Sequence, residues 1–266
     1  MSRPLGWLRP QEHHYTRLKF RSAAPSSVLD SIDPAPTSNN YRLCTVLDQG
    51  SLGSCTANAT AQVIHGTQVR DYGAGDIASR LALYYWARYQ DGNQGRDVGS
   101  HICTVFDVAA ELGLPSETVY PYDVAKFAEK PGPSVYRHGY DQRGSVGLTY
   151  EQLSADPDAF IDQLERALTA GYLVAFGVDV SERFCSELPT GVVEPPVPPE
   201  PIAGGHALTA IGHDHDQQWI EVLNSWGPDW CEPGRRPGCF RMSYDYLRLS
   251  DDRWFCPLAP KPEVSR

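Results

Sequence analysis

Cys55 follows a glycine-punctuated loop, Gln49-Gly50-Ser51-Leu52-Gly53-Ser54, and opens a proline-free run rich in small residues, CTANATAQVIHGTQVR. That run reads as a helix from Ser54 to about Arg70. The thiol then lies in a first turn, where the helix dipole and free backbone N–H groups favour thiolate over thiol. A thiolate attacks carbonyl carbon, and the oxyanion it raises needs donors. Gln49 can fold back across the tight loop and offer its side-chain N–H beside the backbone N–H of Cys55. A proton partner follows at His206, which opens an apolar strand after Gly204 and Gly205. Asn224 ends the next strand, in Leu223-Asn224-Ser225-Trp226-Gly227. If the two strands are neighbours, its amide accepts from one ring nitrogen of His206 and leaves the other facing sulfur. Trp226 then roofs that hydrogen bond against water. Taken singly, these residues also suit bland roles as a buried thiol, a core histidine and a cap. The four together, in this order, point to acyl transfer by a cysteine nucleophile.

The elements that must position them follow from period and punctuation. Ala59, Val63 and Gly66 fall at helical spacing, and small residues allow close approach, so the helix of Cys55 is expected to be central and buried. A second helix is expected over 77–89, carrying Ile77, Leu81, Tyr84, Tyr85 and Arg88. A third follows Ser100 as N-cap, presents Ile102, Val105, Phe106 and Ala109 on one face, and stops at Gly113. One more helix starts at Asp156-Pro157 and ends at Gly171. The period then changes, and strands are expected over 173–180, 206–213 and 218–223. Helices first and strands second make an α+β chain. Six prolines within 189–201 oppose ladder pairing and favour an extended surface loop that ends on His206. Residues 1–43 hold Pro4, Pro10, Pro25, Pro34 and Pro36 without a helical period, and read as an extended arm leading into a first ordered segment over 43–47.

The chain has 266 residues, 41% of them apolar, enough for one large domain or two lobes sharing a cleft. A formal net charge of −10 disfavours nucleic acid and anionic membrane surfaces as main partners. The first twenty residues lack the apolar core of a secretory signal, and no window approaches a membrane span. A soluble monomer is expected, cytoplasmic or exported without a recognisable signal. Seven cysteines leave at least one thiol unpaired. Cys231 and Cys239 bracket CEPGRRPGC, whose ends can close a small disulfide loop or stay apart. His213-Asp214-His215-Asp216 has metal-ligand residue types but sits where a hairpin should turn, so no metal ligand is assigned.

Beyond these readings, DQGSLGSCTANA, GGHALTAIGH and VLNSWGPDW resemble the three active-site blocks of the papain-like C1 peptidases, and GLPSETVYPYD resembles the family's turn between lobes. The likeness spans about residues 41–247. Its C-terminal part, CFRMSYDYLRLSDDRWF, is similar to a bacterial and viral branch with a short N-terminal region. The resemblance implies a papain-like two-lobe fold: a helical lobe over about 44–125, a β-rich lobe over about 126–256, and the active-site cleft between them. Residues 1–43 are then an N-terminal extension and possible pro-segment, and 257–266 a tail. It further implies a cysteine endopeptidase acting on peptide or protein substrates, without a cofactor, through Cys55, His206, Asn224 and Gln49. Family substrate-binding positions fall on Gly99 and Ser100, which meet the substrate backbone, and on Gly205. Ile102 and Gly177 fall on walls of an apolar pocket for the residue two positions before the scissile bond, and Trp226 on the leaving-group side.

The sequence departs from the family in places. Leu52 stands where relatives carry one cysteine of a disulfide, and Thr56 replaces the aromatic after the nucleophile. The arm is too short and proline-rich to be the long helical propeptide of plant and lysosomal members. With Trp7, Leu8, Tyr15, Leu18 and Phe20 as anchors, it is expected either to restrain the enzyme from the cleft or to pack on the lobes as structure. A transamidase or peptide ligase would use the same acyl-enzyme, and a catalytically idle binding protein would use the same scaffold.

Overall fold

The computed structural model describes residues 3–18, 27–143 and 147–262; the expected anchor Phe20 lies outside them. In chain order the elements are α1 (Glu12–Thr16), α2 (Ser27–Asp30), β1 (Thr37–Asn39), α3 (Cys55–Tyr72), α4 (Arg80–Gln90), α5 (Ile102–Leu112) and α6 (Pro133–Gln142). Then come β2 (Thr149–Gln152), α7 (Pro157–Thr169), β3 (Val174–Ser181), α8 (Glu182–Ser186), β4 (Val192–Val193), β5 (Ile202–Asp214), β6 (Trp219–Leu223), β7 (Cys239–Ser243), α9 (Tyr244–Arg248) and β8 (Asp251–Leu258). One sheet takes the order β2-β8-β3-β5-β6-β7-β4, with β1 added along β5. The chain is α+β, as its period implied.

α3 is the axis of the molecule. Small residues let it be buried from Cys55 to Gln68 apart from His65, and it ends on Gly73, whose φ of 73° is the left-handed conformation that closes a helix. One hydrophobic cluster joins α3 to α4, α5 and Trp254 of β8, while a second lies between the sheet and α7, with Phe160, Leu164, Leu168, Phe176 and Phe255. Gln62 of α3 pins the helix to β5 and to the end of β6: its Oε1 accepts from Thr209 Oγ1 at 2.7 Å, and its Nε2 donates to the Asn224 carbonyl.

Several expectations change. The arm is not uniformly extended, because the Gln11 N–H donates to His14 Nδ1 and closes α1, while the free edge of β5 recruits β1. Order therefore begins well before residue 43. The second helix starts at Arg80, where Ser79 Oγ accepts from the Ala82 N–H; Ala78 before it bridges Ser116. Ser100 is not the cap of α5. His101 occupies that position without a side-chain bond, and the carboxylate of Asp252, 150 residues away from Ile102, accepts the first helical N–H groups of Ile102 and Cys103. Gly204 and Gly205 are not a flexible lead-in to a strand: both lie inside β5, opposite Val180 and Asp179 of β3. Within the proline-rich stretch, Val192 and Val193 precede most of the prolines and pair with β7 in parallel, so that loop is not wholly outside the ladder.

Candidate active site

The loop before α3 is stitched to the end of β6. The Gln49 N–H donates to the Ser225 carbonyl at 2.8 Å, the Gly227 N–H to the Leu47 carbonyl at 3.1 Å, and Asp48 bridges Trp226. These bonds bring the Cys55 turn against Asn224 although the two are distant in sequence. His206 Nε2 and Asn224 Oδ1 are 2.8 Å apart in a fully buried contact. Nε2 is the donor, since the amide oxygen only accepts. His206 Nδ1 has no hydrogen-bond partner, and the N–H of the next residue, Ala207, reaches the sulfur of Cys55. Trp226 stacks on the His206 ring at 4.5 Å with 24° between planes, the expected roof. Burial pushes the Cys55 thiol up to about 11, opposed by the N–H groups of Ala207, Gly6, Thr56 and Cys55 itself. Burial likewise lowers the His206 imidazole to about 4, opposed by Asn224. In this closed arrangement burial works against the charged form of both groups.

The arm contributes to this burial, its Gly6 N–H reaching the Cys55 sulfur, while Trp226 and Phe184 pack on the His206 ring. Residues 4–8 run through the groove between Ser100 and Gly205. The N–H groups of Gly6 and Trp7 donate to the Gly205 carbonyl at 3.2 and 3.1 Å, that of Leu8 to the Ser100 carbonyl at 2.9 Å, and that of Ser100 to the Gly6 carbonyl at 2.9 Å. Gln49 Nε2 donates to the Pro4 carbonyl at 3.2 Å and to Leu52 at 2.7 Å, while its Oε1 accepts from Ser225 Oγ. A backbone carbonyl thus already occupies a Gln49 donor beside Cys55.

Most of the expected substrate-binding positions meet this segment. A Cβ on Gly99 would collide with the Gly6 carbonyl, one on Gly205 with the Trp7 carbonyl, and one on Gly177 would stand 2.0 Å from the Trp7 ring, so only glycine leaves room for that indole. Arg3 lies 5.9 Å over the Trp226 ring. Trp7 is 3% exposed and is the deepest of the expected anchors among the described residues, while Tyr15 and Leu18 are half-buried against the core and Leu8 remains outside. Thr56, in place of an aromatic, hydrogen-bonds Ser100, the residue that bridges Trp7.

Sequence reasoning missed Asp252. The pocket was read as apolar, yet Trp7 Nε1 donates to Asp252 Oδ2 at 3.1 Å and Trp254 Nε1 donates to Oδ1 at 2.6 Å. Desolvation raises the Asp252 carboxyl, opposed by these indoles and the Ile102 N–H. Asp252 stands at φ 52°, uncommon for a residue with a side chain. A second feature without a sequence signal is His14 of α1, whose ring lies 3.9 Å from that of His101 beside Asp91. The histidines singled out in sequence are engaged elsewhere: His213 contacts Ser38 Oγ and the Ala35 carbonyl, and His215 pairs with Glu165. Cys231 and Cys239 are both free thiols.

The sequence profile of the papain family cysteine proteases matches residues 29–246. A peptidase C1-like protein of Acanthamoeba polyphaga mimivirus is 31% identical over 229 residues, covering 82% of this chain and 71% of that protein. Chymopapain of Carica papaya is 26% identical over 195 residues, 71% of this chain and 49% of its own length. Xylellain, a cysteine protease from Xylella fastidiosa, superposes with a TM-score of 0.78 at 26% identity, over 96% of this chain and 97% of its own.

Proposed function

Because the chain belongs to the papain family of cysteine proteases, we propose that it hydrolyses peptide bonds as an endopeptidase through Cys55, His206, Asn224 and Gln49. The observation that carries the reading is the Asn224-held His206 ring, its other nitrogen unpartnered, beside a sulfur at the N-terminus of α3. His206 Nδ1 takes the thiol proton, and the sulfur attacks the carbonyl carbon. The oxyanion is held by Gln49 Nε2 and the Cys55 N–H. His206 returns the proton to the leaving amine, and water then releases the acyl group.

In the same reading the arm is a restraint. It bridges Ser100 in parallel, with Pro4 at Gln49, Arg3 over Trp226 on the leaving-group side, and Trp7 against Gly177 on the acyl side. A substrate must place its acyl-side residues N-terminal to the bond that breaks, and the arm places them C-terminal. It fills the groove without offering a cleavable bond in register. Asp252 adds a selection to the pocket filled by Trp7: a residue there is favoured when an apolar body ends in an N–H donor.

A peptide-library digest with the full chain, with residues 1–9 deleted, and with Cys55→Ala tests the whole. Cleavage is expected to be weak in the first, strong in the second and absent in the third. Comparable cleavage by Cys55→Ala would end the catalytic assignment, and equal turnover with and without residues 1–9 would end the restraint alone.

A further inference from the structure

His14 stands on α1 of the arm, and Asp91 and His101 stand on the lobe it covers. One donor atom from each lies within 4.8 Å of the others. His101 Nδ1 is buried and lies 3.3 Å from Asp91 Oδ2, an ion-pair contact that falls short of hydrogen-bond geometry. Asp91 Oδ1 is taken by Arg17 Nη2 at 2.8 Å, which fixes the carboxylate and leaves Oδ2 facing the two imidazoles. Two imidazole nitrogens and one carboxylate oxygen, with no thiolate, form the donor set of a borderline divalent cation, and the second-sphere arginine is the kind of contact that orients a ligating carboxylate.

We propose that these three side chains bind a zinc-class divalent cation and that the ion clasps the arm to the lobe. Zinc holds nitrogen and oxygen at about 2.0–2.2 Å, which spaces tetrahedral donors about 3.4 Å apart, so the set closes by side-chain shifts on the order of 1 Å, with water in the fourth position. His14 Nδ1 accepts from the Gln11 N–H at the exposed start of α1, a surface hydrogen bond that ligation through that nitrogen would exchange for the ion. The consequence reaches the cleft because His101 lies between Ser100, which pairs with Gly6 and Leu8, and Ile102, whose N–H is held by Asp252. Binding at His14 therefore holds the segment that blocks Cys55. This clasp rests on the restraining role of the arm, but the metal site does not.

The test uses the full chain carrying Cys55→Ser, so that no nucleophilic thiolate competes for the ion. Zinc titrated against a chromogenic chelator is expected to show one equivalent at this site. His14→Ala and His101→Gln should each weaken its affinity by about tenfold or more, and His13→Ala, on the exposed neighbour, should leave it unchanged. Amide exchange at Gly6, Trp7 and Leu8 is expected to slow with zinc in the Cys55→Ser chain and not in the His14→Ala variant. Absence of binding, or affinity indifferent to both substitutions, overturns the site. Tight binding without slowed exchange overturns the clasp. Should His101→Gln fail to fold, His14→Ala on the arm decides alone. Failure of the restraint is read separately, since deletion of residues 1–9 would then leave turnover unchanged whatever zinc does.

Discussion

Cys55 and His206 are both fully buried, and that burial favours the uncharged form of each. On the proposed mechanism, nucleophilic competence depends on water or substrate replacing the arm, and alkylation of Cys55 at neutral pH is expected to be slow in the full chain. Cys55→Ala and His206→Ala should abolish peptide hydrolysis, while Asn224→Ala leaves a remnant, since an orienting group contributes less than nucleophile or base. Gln49→Ala should cost on the order of 10²–10³ in turnover as one oxyanion donor is lost. Single-turnover kinetics on a fluorogenic peptide distinguish these outcomes, and a Gln49→Ala enzyme within twofold of the parent would remove that donor from the mechanism. Asp252 makes a finer prediction. With residues 1–9 deleted, Asp252→Asn should reduce the preference for tryptophan over leucine two positions before the scissile bond by about tenfold, the range of a hydrogen bond to a charged group. An unchanged ratio of kcat/KM for the two peptides would refute it.

At the scale of elements, the arm and α3 do opposite work. Trp7 anchors the arm by its buried ring and its bond to Asp252, so Trp7→Ala should weaken docking by roughly 3 kcal/mol, as for large core aromatics. The measurable result is faster labelling of Cys55 by iodoacetamide and a labelling curve displaced to lower pH, because hydration restores the thiolate. Labelling as slow as in the parent chain would show that Trp7 does not hold the arm. α3 tolerates no such loosening. A Cβ on Gly66 would lie 2.5 Å from Leu173 Cδ1 and 2.9 Å from Cγ, so Gly66→Val should lower stability by about 1–3 kcal/mol through overpacking, measured by urea denaturation. The small residues of α3, the Asp156-Pro157 start of α7 and the apolar runs of β3, β5 and β6 were legible because their signals are local. α6 was missed despite Pro133 at its first turn, and β2 and β8 were missed because each pairs with strands far away in sequence.

For the whole molecule, the four proposed catalytic residues were legible as a set because each carries its own context in sequence, whereas the cleft's contents were not. Trp7 meets Asp252 across 245 residues, and His14 meets His101 only once the arm has folded back, so no window of sequence contains either pair. The same long-range burial makes stability depend on pH. His206 is held neutral down to about 4, while in the unfolded chain it takes a proton near its ordinary 6.5. Its contribution is intact above about 6.5 and is lost as pH falls toward 4, amounting to about 3 kcal/mol at the acid end. Urea unfolding of the Cys55→Ala chain at pH 7 and pH 4.5 should show this loss, and His206→Gln should remove most of it; an identical pH dependence in both chains would assign the acid sensitivity to other groups. The reversed course of residues 4–8 through the groove has a further consequence. If the arm restrains the enzyme as proposed, a blocking segment tethered to what it blocks acts at an effective concentration of about millimolar, so occupancy is first order and indifferent to dilution. The same residues supplied as a free peptide must reach that concentration to compete equally, and a substrate present at micromolar levels enters only in the brief intervals when the tether swings away.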